Sequence, residues 1–129
     1  MEKHLAPVES FSKKVSRRSA ILFLPALAGV IGGELGPSRG APQIWDKALH
    51  FTAYFILSAL AVMGFGASKR ALWAMFGLIV MGAALEIIQG MIGRDMSAFD
   101  ELANSLGVIA GGIVAWAIFA MLVRLRSAD

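Results

Sequence analysis

Four long stretches almost free of charge dominate this chain and limit what it can fold into. Ser19 to Gly33 carries no charge, and Glu34 to Gly36 lengthens it towards a membrane interface. Ala48 to Ser68 has no formal charge at neutral pH and a single histidine, His50. Ala71 to Gly90 is apolar except for Glu86 and Gln89, and Leu102 to Val123 has no charged residue. A helix needs about 20 mostly apolar residues to cross roughly 30 Å of hydrocarbon. The expected fold is therefore all-α: a polytopic integral membrane protein of four transmembrane helices, spanning about 19–36, 46–68, 71–90 and 100–123. Only Lys69-Arg70 and small neighbours separate the second and third spans, which forces an antiparallel pair.

Composition agrees. Hydrophobic residues make up 57% and charged residues 16%, against roughly 45–50% and about 25% in soluble domains. The 129 residues suffice for one domain. With no cysteine, disulfides, thiolate nucleophiles and Cys-based zinc sites are excluded. The net charge of +3 points to membrane orientation and not to nucleic acid, because the basic residues flank apolar segments.

Those basic residues predict the topology. With four spans, Lys3, Lys13, Lys14, Arg17, Arg18, Lys69, Arg70, Arg124 and Arg126 share one side, nine of the twelve. Arg39, Lys47 and Arg94 remain on or near the other. Excess Lys and Arg stay in the cytoplasm, so both termini are expected there. Residues 1–18 read as a basic cytoplasmic tail, disordered or forming a short helix on anionic lipid. The first apolar run has a second reading as a cleavable signal peptide, with Lys13 to Arg18 before it and small residues near Gly36 to Ala41 after it. Pro25 is expected to kink this span.

The remaining polar residues gather at one height. Asp46, Lys47, His50 and Tyr54 open the second span, Glu86 and Gln89 close the third, Arg94 and Asp95 lie in the loop, and Asp100, Glu101 and Asn104 open the fourth. At 100° per residue, Asp46, His50 and Tyr54 fall within about 80° of arc, and Asp100, Asn104, Gly107 and Gly111 within about 60°. Glu86 and Gln89 share a face. Lipid-facing stripes of this kind are costly, so the three should point at one another. Glu86 lies roughly 22 Å along its helix from Ala71, where a carboxylate costs a few kcal/mol unless paired, protonated or wetted. Lys47, His50, Arg94 and Asn104 are the candidate partners. Gly107 and Gly111 form a GxxxG pair for close packing, inside the bundle or between copies in an oligomer. Gly77 and Gly82, with Ala83 and Ala84, do similar work on the third span.

The order of these residues resembles the VanZ-like family of bacterial membrane proteins. Asp46-Lys47-Ala48-Leu49-His50-Phe51 followed by Tyr54-Phe55 is similar to that family's opening of a helix. Glu86-x-x-Gln89, Arg94 and Asp100-x-x-x-Asn104-x-x-Gly107-x-x-x-Gly111 continue the pattern in order. The resemblance covers about Asp46 to Val123; the first span and the tail carry no motif. It implies a retained first helix, a bacterial plasma (inner) membrane location and an envelope-related role. The family takes its name from a protein associated with low-level resistance to teicoplanin, a glycopeptide antibiotic that binds cell-wall precursors. Membership of a family does not by itself assign an activity.

Three functional readings follow. In the first, the cluster binds or acts on an envelope lipid or lipid-linked cell-wall precursor at the outer leaflet. Asp46, His50, Glu86 and Asp100 would supply acid, base or metal-ligand chemistry, while Lys47 and Arg94 hold a phosphate and Tyr54, Gln89 and Asn104 complete the contacts. Asp46 and His50, four apart, can share an ion or form an ordinary hydrogen-bonded pair; the spacing is no recognised metal motif, so neither a metal set nor a cofactor is assigned. In the second, the cluster is a scaffold, with Asp46 and Asp100 as helix N-caps and Asn104 bonding between helices. In the third it serves proton-coupled transport, against which stand the apolar inner halves of spans two to four and the lack of internal repeats.

Overall fold

The computed structural model describes residues 5–37, 40 and 42–127; Lys3 and Arg39 lie outside them. Four helices follow one another: α1 (Leu5–Leu35), α2 (Gln43–Phe65), α3 (Lys69–Met91) and α4 (Ala98–Ser127). All four are long and apolar enough to cross a membrane. A 23-residue helix such as α2 or α3 is about 35 Å long, enough for the hydrocarbon core.

Burial is inverted relative to a soluble protein. Trp73, Leu24, Trp45 and Ile113 are each more than 60% exposed, whereas Glu34, His50, Ser58, Glu86, Gln89, Asp100 and Asn104 are buried. Large apolar side chains facing outwards over a polar interior suit lipid as the surrounding solvent. The protein is a multi-pass membrane protein.

Local chemistry sets the ends of the helices. Gly66 adopts φ 68° and stops α2 at Phe65, three residues before the expected end at Ser68. Gly tolerates that left-handed backbone and other residues resist it. Ser68 then caps α3, its hydroxyl accepting from the Ala71 amide at 3.4 Å. At the other end of α3, Gly93 at φ 83° turns the chain, and the Arg94 amide donates to the Gln89 carbonyl at 3.0 Å.

α1 differs from expectation. The helix runs back to Leu5, so residues 5–18, expected as a disordered tail or a short separate helix, are helical and continuous with the first span. A helix already nucleated in the apolar run extends at little cost per residue, and Ser16 docks by donating to the Met63 carbonyl at 3.3 Å. The helix also continues through Pro25.

α2 and α4 form the closest pair. A Cβ on Gly107 would overlap the Phe51 carbonyl, and one on Gly111 the Phe55 carbonyl, so the two backbones touch there. The Ser58 hydroxyl donates to the Val108 carbonyl at 2.7 Å between the same helices. The GxxxG pair thus packs inside the chain, against α2. On α3 the expected packing glycines divide: Gly82 is buried, and Gly77 faces open space.

Tyr54, Leu57, Leu78 and Val108 make the main core, and Phe23, Ala26, Leu27 and Val30 of α1 pack against it. Val62, Ala71 and Ala115 form a second, smaller cluster.

Candidate functional site

The polar residues meet at the end of the bundle opposite the termini. Four helices contribute, not three. Glu34 of α1 is 8% exposed, and its Oε1 lies 3.6 Å from His50 Nδ1. Its backbone carbonyl accepts from Gln89 Nε2 at 2.8 Å and from Arg94 Nη1, which also donates to the Gly36 carbonyl at 3.0 Å. The first helix, which carries no motif, is therefore integral to the site. Helix C-terminal carbonyls have no partner within the helix and carry partial negative charge, so a guanidinium fits there.

A chain of hydrogen bonds on α4 orients His50. Ser105 Oγ donates to Glu101 Oε1 at 3.1 Å, and Asn104 Nδ2 donates to Glu101 Oε2 at 3.3 Å. A carboxylate accepts only, so the Asn104 amide is assigned with its nitrogen towards Glu101 and its Oδ1 towards the imidazole. His50 Nδ1 lies 3.0 Å from that Oδ1 and must carry the hydrogen. Nε2 is left with its lone pair, as a base or a ligand. Asn104 is fully buried, so water cannot replace it.

Gly82 makes room for this network. A Cβ there would lie 2.6 Å from Glu101 Oε2, 3.0 Å from Asn104 Nδ2 and 3.3 Å from the Tyr54 hydroxyl. Only a glycine lets α3 approach polar groups of α2 and α4 this closely.

The acidic residues divide by partner. Lys47 Nζ pairs with Asp100 Oδ1 at 2.9 Å. Glu86 Oε2 accepts from the Ser97 amide at 2.9 Å; none of its four expected partners hydrogen-bonds it. Asp46 is partly exposed and Asp100 buried. Neither is an N-cap: α2 starts after Pro42, and Ser97 Oγ accepts from the Asp100 amide at 3.3 Å, which makes Ser97 the cap of α4. Among the described residues, four buried oxygens have no hydrogen-bond partner: both of the Glu34 carboxylate, Glu86 Oε1 and the Tyr54 hydroxyl. Asp46, His50 and Asp100 each bring a ligand atom to within 4.8 Å of the others.

A cavity of about 430 Å³ lies between α1 and α2. Glu34, Asp46, His50 and Arg94 line its polar end, and Ala26, Gly29, Val30, Leu49 and Ala53 its apolar part. From Ala26 to Glu34 the groove follows α1 for about 12 Å. Among the described residues Arg94 donates only through Nη1, so Nε and Nη2 keep donors for another group.

All nine sequence candidates lie at this end, but in separate contacts: Lys47 with Asp100, His50 with Asn104, Gln89 and Arg94 on α1 carbonyls, Glu86 on the loop, Tyr54 in the core. Glu34, Glu101, Ser97 and Ser105 were not among them. Glu34 carried a signal in the sequence, as the one charge closing an otherwise uncharged run. No family model, curated protein or solved structure matches this chain significantly.

Proposed function

We propose that this chain is a VanZ-like protein of the bacterial plasma membrane, with both termini in the cytoplasm, that binds an amphiphile at its extracytoplasmic end. A lipid-linked envelope precursor is the class that the family resemblance implies. The observation that carries this reading is the groove between α1 and α2. Its apolar length suits a hydrocarbon chain, and its end holds the imidazole, two carboxylates and a guanidinium with donors to spare. Pockets of several hundred Å³ with a few convergent polar groups are the usual form of small-molecule sites. His50, which lines the groove, is placed to exchange protons with a bound head group.

A purely structural cluster is the second reading, favoured by the Lys47–Asp100 pair and by the Glu86 contact that holds the loop.

Blocking the groove tests the proposal. Nothing lies within 4 Å of a Cβ at Gly33, which lines the groove, so Gly33→Phe fills it without straining the helices. Native mass spectrometry with dioleoylphosphatidylglycerol and a polyprenyl phosphate as probes should find one bound molecule on the wild type and none on Gly33→Phe. His50→Ala should weaken retention while the protein still accumulates in membranes. Equal retention by wild type and Gly33→Phe would sink the binding reading. If His50→Ala instead vanishes from membranes, the structural reading gains.

Orientation has its own check. The chain has no cysteine, so a single Asp95→Cys variant, at an exposed loop position, reports one side cleanly. Labelling by an impermeant maleimide is expected from outside the cell. Labelling only after the cytoplasmic face is opened would reverse the topology.

A further inference from the structure

We propose that Asp46, His50 and Asp100 form a binding site for a divalent transition-metal ion, with zinc the best fit. The three come from two helices: Asp46 and His50 sit one turn apart on α2, and Asp100 faces them from the first turn of α4. Their ligand atoms lie within 4.8 Å of one another. Ligands held about 2.1 Å from a tetrahedral zinc are roughly 3.4 Å apart, and that difference is the scale of a side-chain torsion. One imidazole with two carboxylates is a mixed donor set that suits zinc over magnesium or calcium, which prefer oxygen alone. Three protein ligands leave a fourth position open, as in sites where zinc meets water or substrate.

The second-sphere arrangement points the same way. Asn104 Oδ1 takes the Nδ1 hydrogen of His50, which leaves Nε2 as the coordinating atom. Glu101 in turn fixes the Asn104 amide. A ligating histidine ordinarily has its other nitrogen held in this manner. Lys47 engages Oδ1 of Asp100, and Oδ2 remains for an ion.

Independently of this geometry, the charges call for a cation. At this end of the bundle the described residues include the carboxylates of Glu34, Asp46, Glu86, Asp100 and Glu101, against the permanent cations Lys47 and Arg94. Arg94 donates through Nη1 to backbone carbonyls and makes no ion pair with a carboxylate among the described residues. Glu34, more than nine-tenths buried, lines the same cavity as Asp46 and His50; its Oε1 lies 3.6 Å from His50 Nδ1, and neither of its oxygens has a hydrogen-bond partner among the described residues. Uncompensated carboxylates in low dielectric are strongly disfavoured, and a divalent ion among them offsets two charges at once. This assignment rests on the protein's own groups and stands whether or not an amphiphile occupies the groove.

Metal binding to the full chain, purified in detergent without a polyhistidine tag, decides the matter. After chelator treatment and dialysis, zinc is added back and measured by elemental analysis and by competition with a chelating dye. The wild type is expected to take up one zinc per chain and to melt at a higher temperature with zinc than without it. His50→Ala and Asp46→Asn should each bind zinc about 100-fold more weakly, whereas Asp95→Asn in the exposed loop should match the wild type. The Asp46 carboxylate takes part in no hydrogen bond or ion pair among the described residues, and its backbone amide, which donates to the Pro42 carbonyl at 3.2 Å, is untouched by Asp46→Asn, so this variant keeps the fold and decides the outcome even if His50→Ala does not accumulate. A wild type that takes up no zinc would overturn the assignment. So would an Asp46→Asn variant with undiminished affinity.

Discussion

Gly111→Leu is expected to remove the protein from the membrane fraction, while Gly77→Leu, an identical exchange on α3, leaves its level unchanged. At Gly111 even a Cβ would overlap the Phe55 carbonyl, with the carbonyl carbon 2.8 Å and the Cα 2.9 Å away. These are backbone atoms of α2 and cannot rotate aside, so the helices must separate. Separation would also stretch the Ser58–Val108 hydrogen bond, 2.7 Å in the native pair. Overpacking a core costs about 1–3 kcal/mol and more where nothing can yield, so a loss above about 3 kcal/mol is expected here. Gly77 meets nothing within 4 Å and points to lipid, where leucine is also the better helix former. Quantitative blotting of membranes, with melting in detergent, measures both. Equal behaviour of the two variants would mean that α2 and α4 do not touch as described.

The second large effect is expected at Asn104. Asn104→Leu keeps the volume but removes the hydrogen-bond partner of both His50 Nδ1 and Glu101 Oε2, leaving the imidazole only the longer 3.6 Å approach of Glu34 Oε1. An interhelical hydrogen bond in a membrane is worth only about 0.6 kcal/mol on average. Abandoning buried polar groups is a different matter, at about 1–3 kcal/mol for each. The variant should therefore melt well below Ser58→Ala, which removes a single bond from the same pair of helices. Its effect on chemistry should be larger still, because an imidazole without Asn104 is free to place its hydrogen on either nitrogen. Loss of a group that holds a ligating histidine typically lowers metal affinity 10–100-fold. Proton NMR of a ring-labelled His50 would read the tautomer directly. A ring that still carries its hydrogen on Nδ1 in Asn104→Leu would remove Asn104 from this role.

Much of this was legible in the sequence because membranes impose simple rules. Four uncharged runs of sufficient length permit little besides four helices, and polar residues at one height and on mutually facing stripes must converge. What escaped was pairing. Depth along a helix is readable from residue counts, but the azimuth of one helix against another is not. So Lys47 was as plausible beside Glu86 as beside Asp100, and only packing decides. Backbone partners were equally hidden: the Ser97 amide that holds Glu86 and the α1 carbonyls that hold Arg94 are the same in any sequence. Glu34 was overlooked for a related reason. It stands alone on its helix, without a polar neighbour a turn away to mark a stripe, and its importance appears only when α1 is laid against α2. The capping roles expected of Asp46 and Asp100 failed because Pro42 and Ser97 lie a turn earlier and start the helices first.

The grip of Arg94 on Glu34 and Gly36 has a mechanical consequence. It ties the last turn of α1 to the loop between α3 and α4, across the mouth of the groove. α1 forms one bank of that groove and α2 the other, and α2 packs closely on α4. Gln89 donates to the same Glu34 carbonyl, so the two side chains together form a strap that governs the aperture. A molecule arriving from the membrane plane would slip between the banks from the side and leave that strap fastened. One arriving from the aqueous side would have to undo it.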